Sequence, residues 1–126
     1  MKTLVLISIA GGVGSAARYL VSLGAVRYLG QGFPYGTLIV NVLGSFVIAI
    51  VMHLGLRSDV LSPTARITLA TGLMGGFTTY SAFNYETLDL VSRGSFRLAA
   101  TNVLVTLVAC IAAGLVGLGA ARALLR

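Results

Sequence analysis

The stretch that decides the fold is GGFTTYSAF, Gly75–Phe83, in which two glycines and several hydroxyl residues interrupt an apolar run. Backbone that leaves the helix inside a lipid bilayer is tolerated only where protein covers it or where it lines a cavity, because lipid cannot bond its polar groups. We therefore predict that a membrane helix is broken over residues 75–79, near the bilayer midplane. The alternative is that Gly75 and Gly76 only let two helices pack closely.

The composition around this stretch is that of a membrane protein. Of the 126 residues, 57% are hydrophobic and 10% are charged, with a mean hydropathy of +0.98. Each span of a bilayer needs about 20 apolar residues. The sequence predicts an all-α membrane protein with four transmembrane helices, about 3–28, 34–56, 63–92 and 95–124, in a single domain covering residues 1–126. No cleavable signal peptide is expected, because the first apolar run continues directly into more helix.

The connections between these segments carry helix boundary signals. Gly30, Gly32 and Pro34 separate the first two spans, and Ser62 is placed to cap a third helix that begins at Pro63. The last connection is so short that the third and fourth spans must be antiparallel.

The positive charges divide almost evenly between the two sides of the membrane. Four spans place Lys2, Arg57, Arg66, Arg122 and Arg126 on one side and Arg27, Arg93 and Arg97 on the other. Such a weak bias leaves insertion in both orientations open, with an antiparallel dimer as the product. The net charge of +6 is expected to meet lipid headgroups and not nucleic acid, because the arginines fall mainly where apolar runs end.

Small residues recur at four-residue spacing in the third and fourth spans. The series are Gly72 and Gly76, then Ala109, Ala113, Gly117 and Ala121. Such spacing lets helices approach closely, either within one chain or across a dimer seam. The pattern alone does not choose between the two.

Several polar side chains lie inside the predicted spans, where they must face protein or water. Asn41 lies in the second span, Asn102 and Thr106 form a stripe on the fourth, and Glu86 follows the break on the third. Each is either a hydrogen-bonding link between helices or the lining of a pathway. Arg18 in the first span either extends to the interface or places positive charge in a vestibule that gathers anions.

Enzymatic chemistry has no support in the residue pattern. Gly12-x-Gly14-x-x-Ala17 imitates a dinucleotide-binding turn, but the first acidic residue in the chain is Asp59, too far along to complete that site. No Ser/His/Asp set and no metal-ligand spacing is present, and His53 is interpreted as an interfacial residue. We therefore do not expect an enzyme.

The residues after the predicted break suit an anion. A broken helix frees carbonyl groups, which favour cations, and N–H groups, which favour anions. Tyr80 and Phe83 are three residues apart and share a helix face. Because the edge of an aromatic ring is electropositive, two such edges stabilise a small anion without binding it too tightly for release.

Three ordered motifs, GGVGSAARYL, GTLIVNVLGSF and GLMGGFTTYSAFNYET, together resemble the Fluc family of fluoride channels, also called CrcB-like proteins, over essentially the whole chain. The resemblance implies a dual-topology protein of the cell inner membrane that assembles as an antiparallel homodimer. It further implies two pores that export fluoride passively and so lower fluoride toxicity in the cytoplasm. A structural sodium ion is implied between the subunits.

The resemblance also implies roles for individual residues. It assigns the fluoride pore to Asn41, Thr79, Tyr80, Ser81, Phe83, Glu86, Asn102 and Thr106, and the sodium ion to the carbonyls of Gly75 and Thr78. The chain departs from the family pattern where Tyr80 replaces a phenylalanine and Ala82 a threonine. The added hydroxyl of Tyr80 suggests slower permeation. Two other functions stay open: a proton-coupled exporter of small solutes that uses Glu86, and a membrane assembly subunit that transports nothing.

Overall fold

The computed structural model describes all 126 residues, and every regular element is helical. The α-helices are α1 (Lys2–Leu29), α2 (Tyr35–Arg57), α3 (Pro63–Ile67), α4 (Gly75–Phe77), α5 (Tyr80–Ser92) and α6 (Phe96–Leu124). A π-helical segment, Thr68–Met74, joins α3 to α4 without a gap. The predicted all-α architecture is confirmed.

Three of these helices, α1, α2 and α6, are long and apolar enough to cross a membrane. Their ends lie within one residue of the bounds expected from the sequence. The predicted third span is divided into shorter pieces, a continuous helical half from Pro63 to Phe77 and the separate helix α5. The number of four spans and the dimer therefore stay predictions.

The turns follow the local signals in the sequence. Ser62 caps α3, since its Oγ accepts the Ala65 N–H at 3.0 Å. Gly30 ends α1 with φ at 84°, and Gly94 lies between α5 and α6 with φ at 78°. Both values fall in the left-handed region that glycine alone adopts without strain.

Helices α2 and α6 pack against each other along their length and run in the same direction. Glycine allows the closest approach, because a Cβ added at Gly117 would meet the carbonyl oxygen of Phe46 on α2. Helix α1 packs in the same way against the first half of the divided span. A Cβ at Gly76 would meet the Gly11 carbonyl, and one at Gly14 would meet the Leu73 carbonyl. At these positions the small residues serve packing within one chain.

The break itself is shorter than the sequence suggests. Gly75 and Gly76 remain helical in α4, and only Thr78 and Thr79 leave the helix, with ψ of 160° and 121°. Gly76 therefore provides close contact with α1, which is the alternative stated above for this glycine. The π-helical segment before it has no signal in the sequence.

Little of the chain is buried within one protomer. Only 13 of the 126 residues are buried, whereas many large apolar side chains on α1 and α6 are exposed. A soluble domain of this size would bury far more of its apolar side chains. The exposed surface therefore belongs against lipid or against another chain.

Candidate ion-binding site at the helix break

Asn41 on α2 holds the broken backbone in place. Its Nδ2 donates to the Thr79 carbonyl at 2.9 Å, and its Oδ1 accepts the Thr79 N–H at 2.8 Å. One side-chain amide thus satisfies both backbone groups of a residue that has left the helix, as membrane burial requires. Asn41 is therefore both a link between helices and part of the site.

The carbonyl groups of Gly75 and Thr78 are among those that lose their helical partners at the break. In an unbroken helix the Thr79 N–H would bond to the Gly75 carbonyl and the Ala82 N–H to the Thr78 carbonyl. Instead, Asn41 takes the first N–H, and the Thr79 hydroxyl accepts the second at 3.2 Å. The carbonyls of Gly75 and Thr78 are the pair to which the family resemblance assigns the sodium ion.

The side chain of Thr78 makes contacts with its own helix and with α2. Its Oγ1 donates to the Met74 carbonyl at 2.8 Å. Its methyl group packs directly on Gly44 of α2, where a Cβ would collide with it. Only the backbone of Thr78 is available to an ion.

Three cavities lie one after another along one face of α2, which we call the groove, and the middle cavity adjoins the break. The middle cavity, about 340 Å³, is lined by Asn41, Ser45, Thr79, Tyr80, Phe83, Thr106 and Cys110 among others. The rings of Tyr80 and Phe83 are 5.8 Å apart and inclined at 59°. The structure thus brings five of the predicted pore residues together: Asn41, Thr79, Tyr80, Phe83 and Thr106.

Glu86 lies outside this middle cavity. It lines the upper cavity of about 350 Å³, between the ends of α1 and α5 and the starts of α2 and α6. Thr37 donates to Glu86 Oε1 at 2.5 Å, while Oε2 is buried without a partner. Thr37 was not predicted from the sequence, although it lies one helical turn before Asn41 on the same face of α2.

Asn102 and Ser81 do not join the middle cavity. Asn102 is only 2% exposed and donates to Thr87 Oγ1 at 2.9 Å. It therefore links α6 to α5, which is the first of the two alternatives given for it by the sequence. Thr106 donates to Asn102 Oδ1 at 3.5 Å. Ser81 is exposed on the outer face of α5, with its Oγ 3.3 Å from Thr79 Oγ1.

Arg18 contacts the break from the opposite side. Its Nε donates to the Gly76 carbonyl at 3.1 Å, one turn of α1 away from the close contact of Gly14 with the divided span. The Arg18 guanidinium therefore occupies the carbonyl of Gly76, the residue between Gly75 and Phe77. The proposed vestibule role of Arg18 stays a prediction, and this contact was not foreseen.

The match to a family decides what kind of protein carries this site. Residues 5–118 match the family described as CrcB-like protein, Camphor Resistance (CrcB). The chain belongs to the CrcB family. The matched range contains every residue assigned above to the pore, the vestibule and the cation, so the family predicted from the three sequence motifs is confirmed.

Several curated relatives in the CrcB family carry the name fluoride-specific ion channel FluC. The protein of Anaeromyxobacter dehalogenans is 51% identical over 113 residues, which is 90% of each chain. That of Sorangium cellulosum is 44% identical over 119 residues, 94% of each chain. That of Geobacter metallireducens is 44% identical over 122 residues, 97% of this chain and 98% of the relative. This CrcB protein is thus an integral multi-pass membrane protein, and an inner-membrane location is consistent with its bacterial relatives.

Proposed function

We propose that the protein is a fluoride-selective channel that exports fluoride passively and thereby lowers its concentration in the cytoplasm. The relatives that match nearly the whole chain carry the name fluoride-specific ion channel FluC. The structural observation that carries the proposal is the middle cavity at the break. It offers an amide, hydroxyl groups and ring edges, but no fixed positive charge.

These groups match the needs of a small, strongly hydrated anion. The Asn41 amide has two N–H donors, and only one of them is used by the Thr79 carbonyl. The second N–H and the edges of Tyr80 and Phe83 are each weak partners for fluoride. Conduction needs several weak sites in sequence, because one strong site would retain the ion.

We further propose that two chains pair as an antiparallel homodimer with two pores. In one protomer Gly75, Tyr80, Ser81 and Asn84 are exposed at and just after the break, within the predicted third span. Polar groups left in hydrocarbon cost several kcal/mol each, of order 2–7 without partners. A second copy that covers this surface removes that cost and repeats the groove once.

A structural sodium ion is proposed at the same surface. The carbonyls of Gly75 and Thr78 have lost their helical N–H partners to side chains, and Gly75 is exposed. Carbonyl oxygens at the end of a half-helix carry partial negative charge and suit a hard cation. When bound, the ion supplies positive charge that holds the two breaks together.

Efflux from liposomes tests the channel. The purified protein is reconstituted, and release of fluoride and of chloride is followed with ion-selective electrodes. We expect rapid fluoride efflux without a proton gradient and retention of chloride. The Tyr80→Phe variant is measured beside the natural chain, and silence of both variants would leave the assembly-subunit interpretation in its place.

One observation favours a second candidate, the proton-coupled exporter. Glu86 Oε2 is buried without a partner, as a proton-carrying carboxyl requires. The same efflux assay separates the two functions. In a coupled exporter the outward fluoride gradient drives a matching movement of protons, which a pH dye inside the liposomes reports, whereas a channel moves fluoride without coupled protons.

The sodium ion has its own test. Dimer stability in detergent is measured in sodium and in a larger monovalent cation. We expect the dimer to dissociate more readily in the larger cation. Equal dimer stability in the two cations would refute the sodium site.

A further inference from the structure

The groove along α2 does not end at the middle cavity. A lower cavity of about 370 Å³ continues it toward the carboxyl ends of the two helices. Ile111 lines both cavities, and Ile48 of the middle cavity is adjacent to Ala49 of the lower one. The upper, middle and lower cavities therefore follow one face of α2 from Thr37 to Arg57.

The two end cavities differ in their ionisable side chains. The upper cavity contains Glu86 together with Asp89 and Arg93, and the last two neutralise each other in an ion pair of 2.6 Å. The lower cavity contains His53 and Arg57 as its only ionisable side chains. Arg57 is exposed and takes part in no salt bridge. Its charge is therefore free to act on an ion in the cavity.

We propose that the lower cavity is the mouth at which the groove takes up and releases fluoride, with Arg57 concentrating the anion there. The proposal rests on the proposed function. A single positive charge at the rim of a cavity with low-dielectric walls raises the local concentration of an anion. The other lining side chains are mostly apolar, so they neither bind the ion nor compete with Arg57.

The fluoride dependence of flux tests this role. In water, one unit charge at about 5–8 Å changes the local anion concentration about two- to fourfold. Arg57→Gln is therefore expected to lower efflux about two- to fourfold at low fluoride and low ionic strength, and little at high fluoride. Arg57→Lys should keep the natural rate. The difference should fall to about twofold or less when an impermeant salt raises the ionic strength from about 10 mM to about 150 mM, which shortens the Debye length from about 30 to about 8 Å.

Arg122 supplies the matched control. It is exposed, lies one helical turn after Leu118 of the lower cavity, and does not line that cavity. Arg122→Gln removes one positive charge from the same side of the membrane, so it changes the orientation bias equally. Its efflux should match that of the natural chain. A second variant, Leu56→Lys, adds a charge at an exposed lining position and should raise efflux at low fluoride.

The outcomes separate this proposal from the proposed function. Absence of fluoride efflux from the natural chain refutes the channel itself. If the natural chain conducts and Arg57→Gln has the same fluoride efflux, only the role of the lower cavity as a mouth is refuted. An equal loss of efflux in Arg57→Gln and Arg122→Gln refutes it as well. If the effect of Arg57→Gln follows the fraction of anionic lipid and not the ionic strength, Arg57 holds a lipid phosphate and the proposal is wrong.

Discussion

Removing the Asn41 amide is the most direct perturbation of the helix break. In Asn41→Ala the Thr79 N–H and the Thr79 carbonyl both lose their only partner, since Asn41 bonds each of them at 2.8–2.9 Å. The chain then has two choices. It leaves both groups unpaired, or it returns the Thr79 N–H to the Gly75 carbonyl and closes part of the break.

The structure sets the size of the effect. An unpaired buried backbone group costs about 1–3 kcal/mol, so two unpaired groups cost about 2–6 kcal/mol. Side-chain hydrogen bonds between membrane helices average about 0.6 kcal/mol, because the unfolded state also finds partners. Closing part of the break recovers one bond. We therefore expect a loss of about 2–4 kcal/mol in the free energy of unfolding.

Stability and transport are measured together, by denaturant unfolding in detergent and by fluoride efflux from liposomes. Asn41→Ala should lose fluoride efflux as well as stability, because the Gly75 carbonyl and the groove depend on the same residue. Ser45→Ala is the control on the same helix face. Its hydroxyl bonds only to the Asn41 carbonyl of its own helix, so the loss should be below about 1 kcal/mol. An Asn41→Ala variant as stable and as active as the natural chain would refute the reasoning.

Three further predictions follow from single contacts. Gly76→Ala places a Cβ against the Gly11 carbonyl of α1 and should destabilise the protein by about 1–3 kcal/mol in unfolding measurements, whereas Gly119→Ala, with open space around it, should be neutral or slightly stabilising. Thr79→Val removes the α5 cap and should cost about 1 kcal/mol; it also returns the Ala82 N–H to Thr78, so sodium dependence of the dimer should weaken. Tyr80→Phe should leave stability unchanged, because the Tyr80 hydroxyl makes no hydrogen bond and the side chain is 78% exposed, and efflux should equal or exceed the natural rate; slower efflux would show that the hydroxyl assists permeation.

Much of the local structure could be predicted from residue types alone. Hydrophobic length gave the three long helices, and Ser62, Gly30 and Gly94 act at helix ends as their chemistry dictates. The break was also predictable near Thr78 and Thr79, because side chains that bond to backbone compete with helix formation. The extent of the break was not predictable, because glycines such as Gly75 and Gly76 can remain helical where they pack closely against another helix.

The partners of the polar side chains depended on the tertiary structure. Asn41 and Asn102 are both asparagines inside apolar helices. The sequence did not decide whether each of them links two helices by a hydrogen bond or lines a pathway. Asn41 meets the open backbone of Thr79, whereas Asn102 is enclosed between α5 and α6 against Thr87. Helix rotation and axial position decide this difference, and both follow from the packing of all the helices together.

The sequence by itself determined that this chain enters a membrane and interrupts one helix at a run of hydroxyl residues, because the length of an apolar segment and local hydrogen bonding depend only on neighbouring residues. Its motifs also determined that the chain belongs to the CrcB family. Only the tertiary structure decided that side chains of Asn41 and Thr79 accept the N–H groups that would otherwise bond to the carbonyls of Gly75 and Thr78. The same is true of the bond from Arg18 to the Gly76 carbonyl. The tertiary structure also decided that Glu86 and Arg57 lie at opposite ends of one groove. These relations join residues far apart in the chain, and they exist only where α1, α2 and α6 pack around the break.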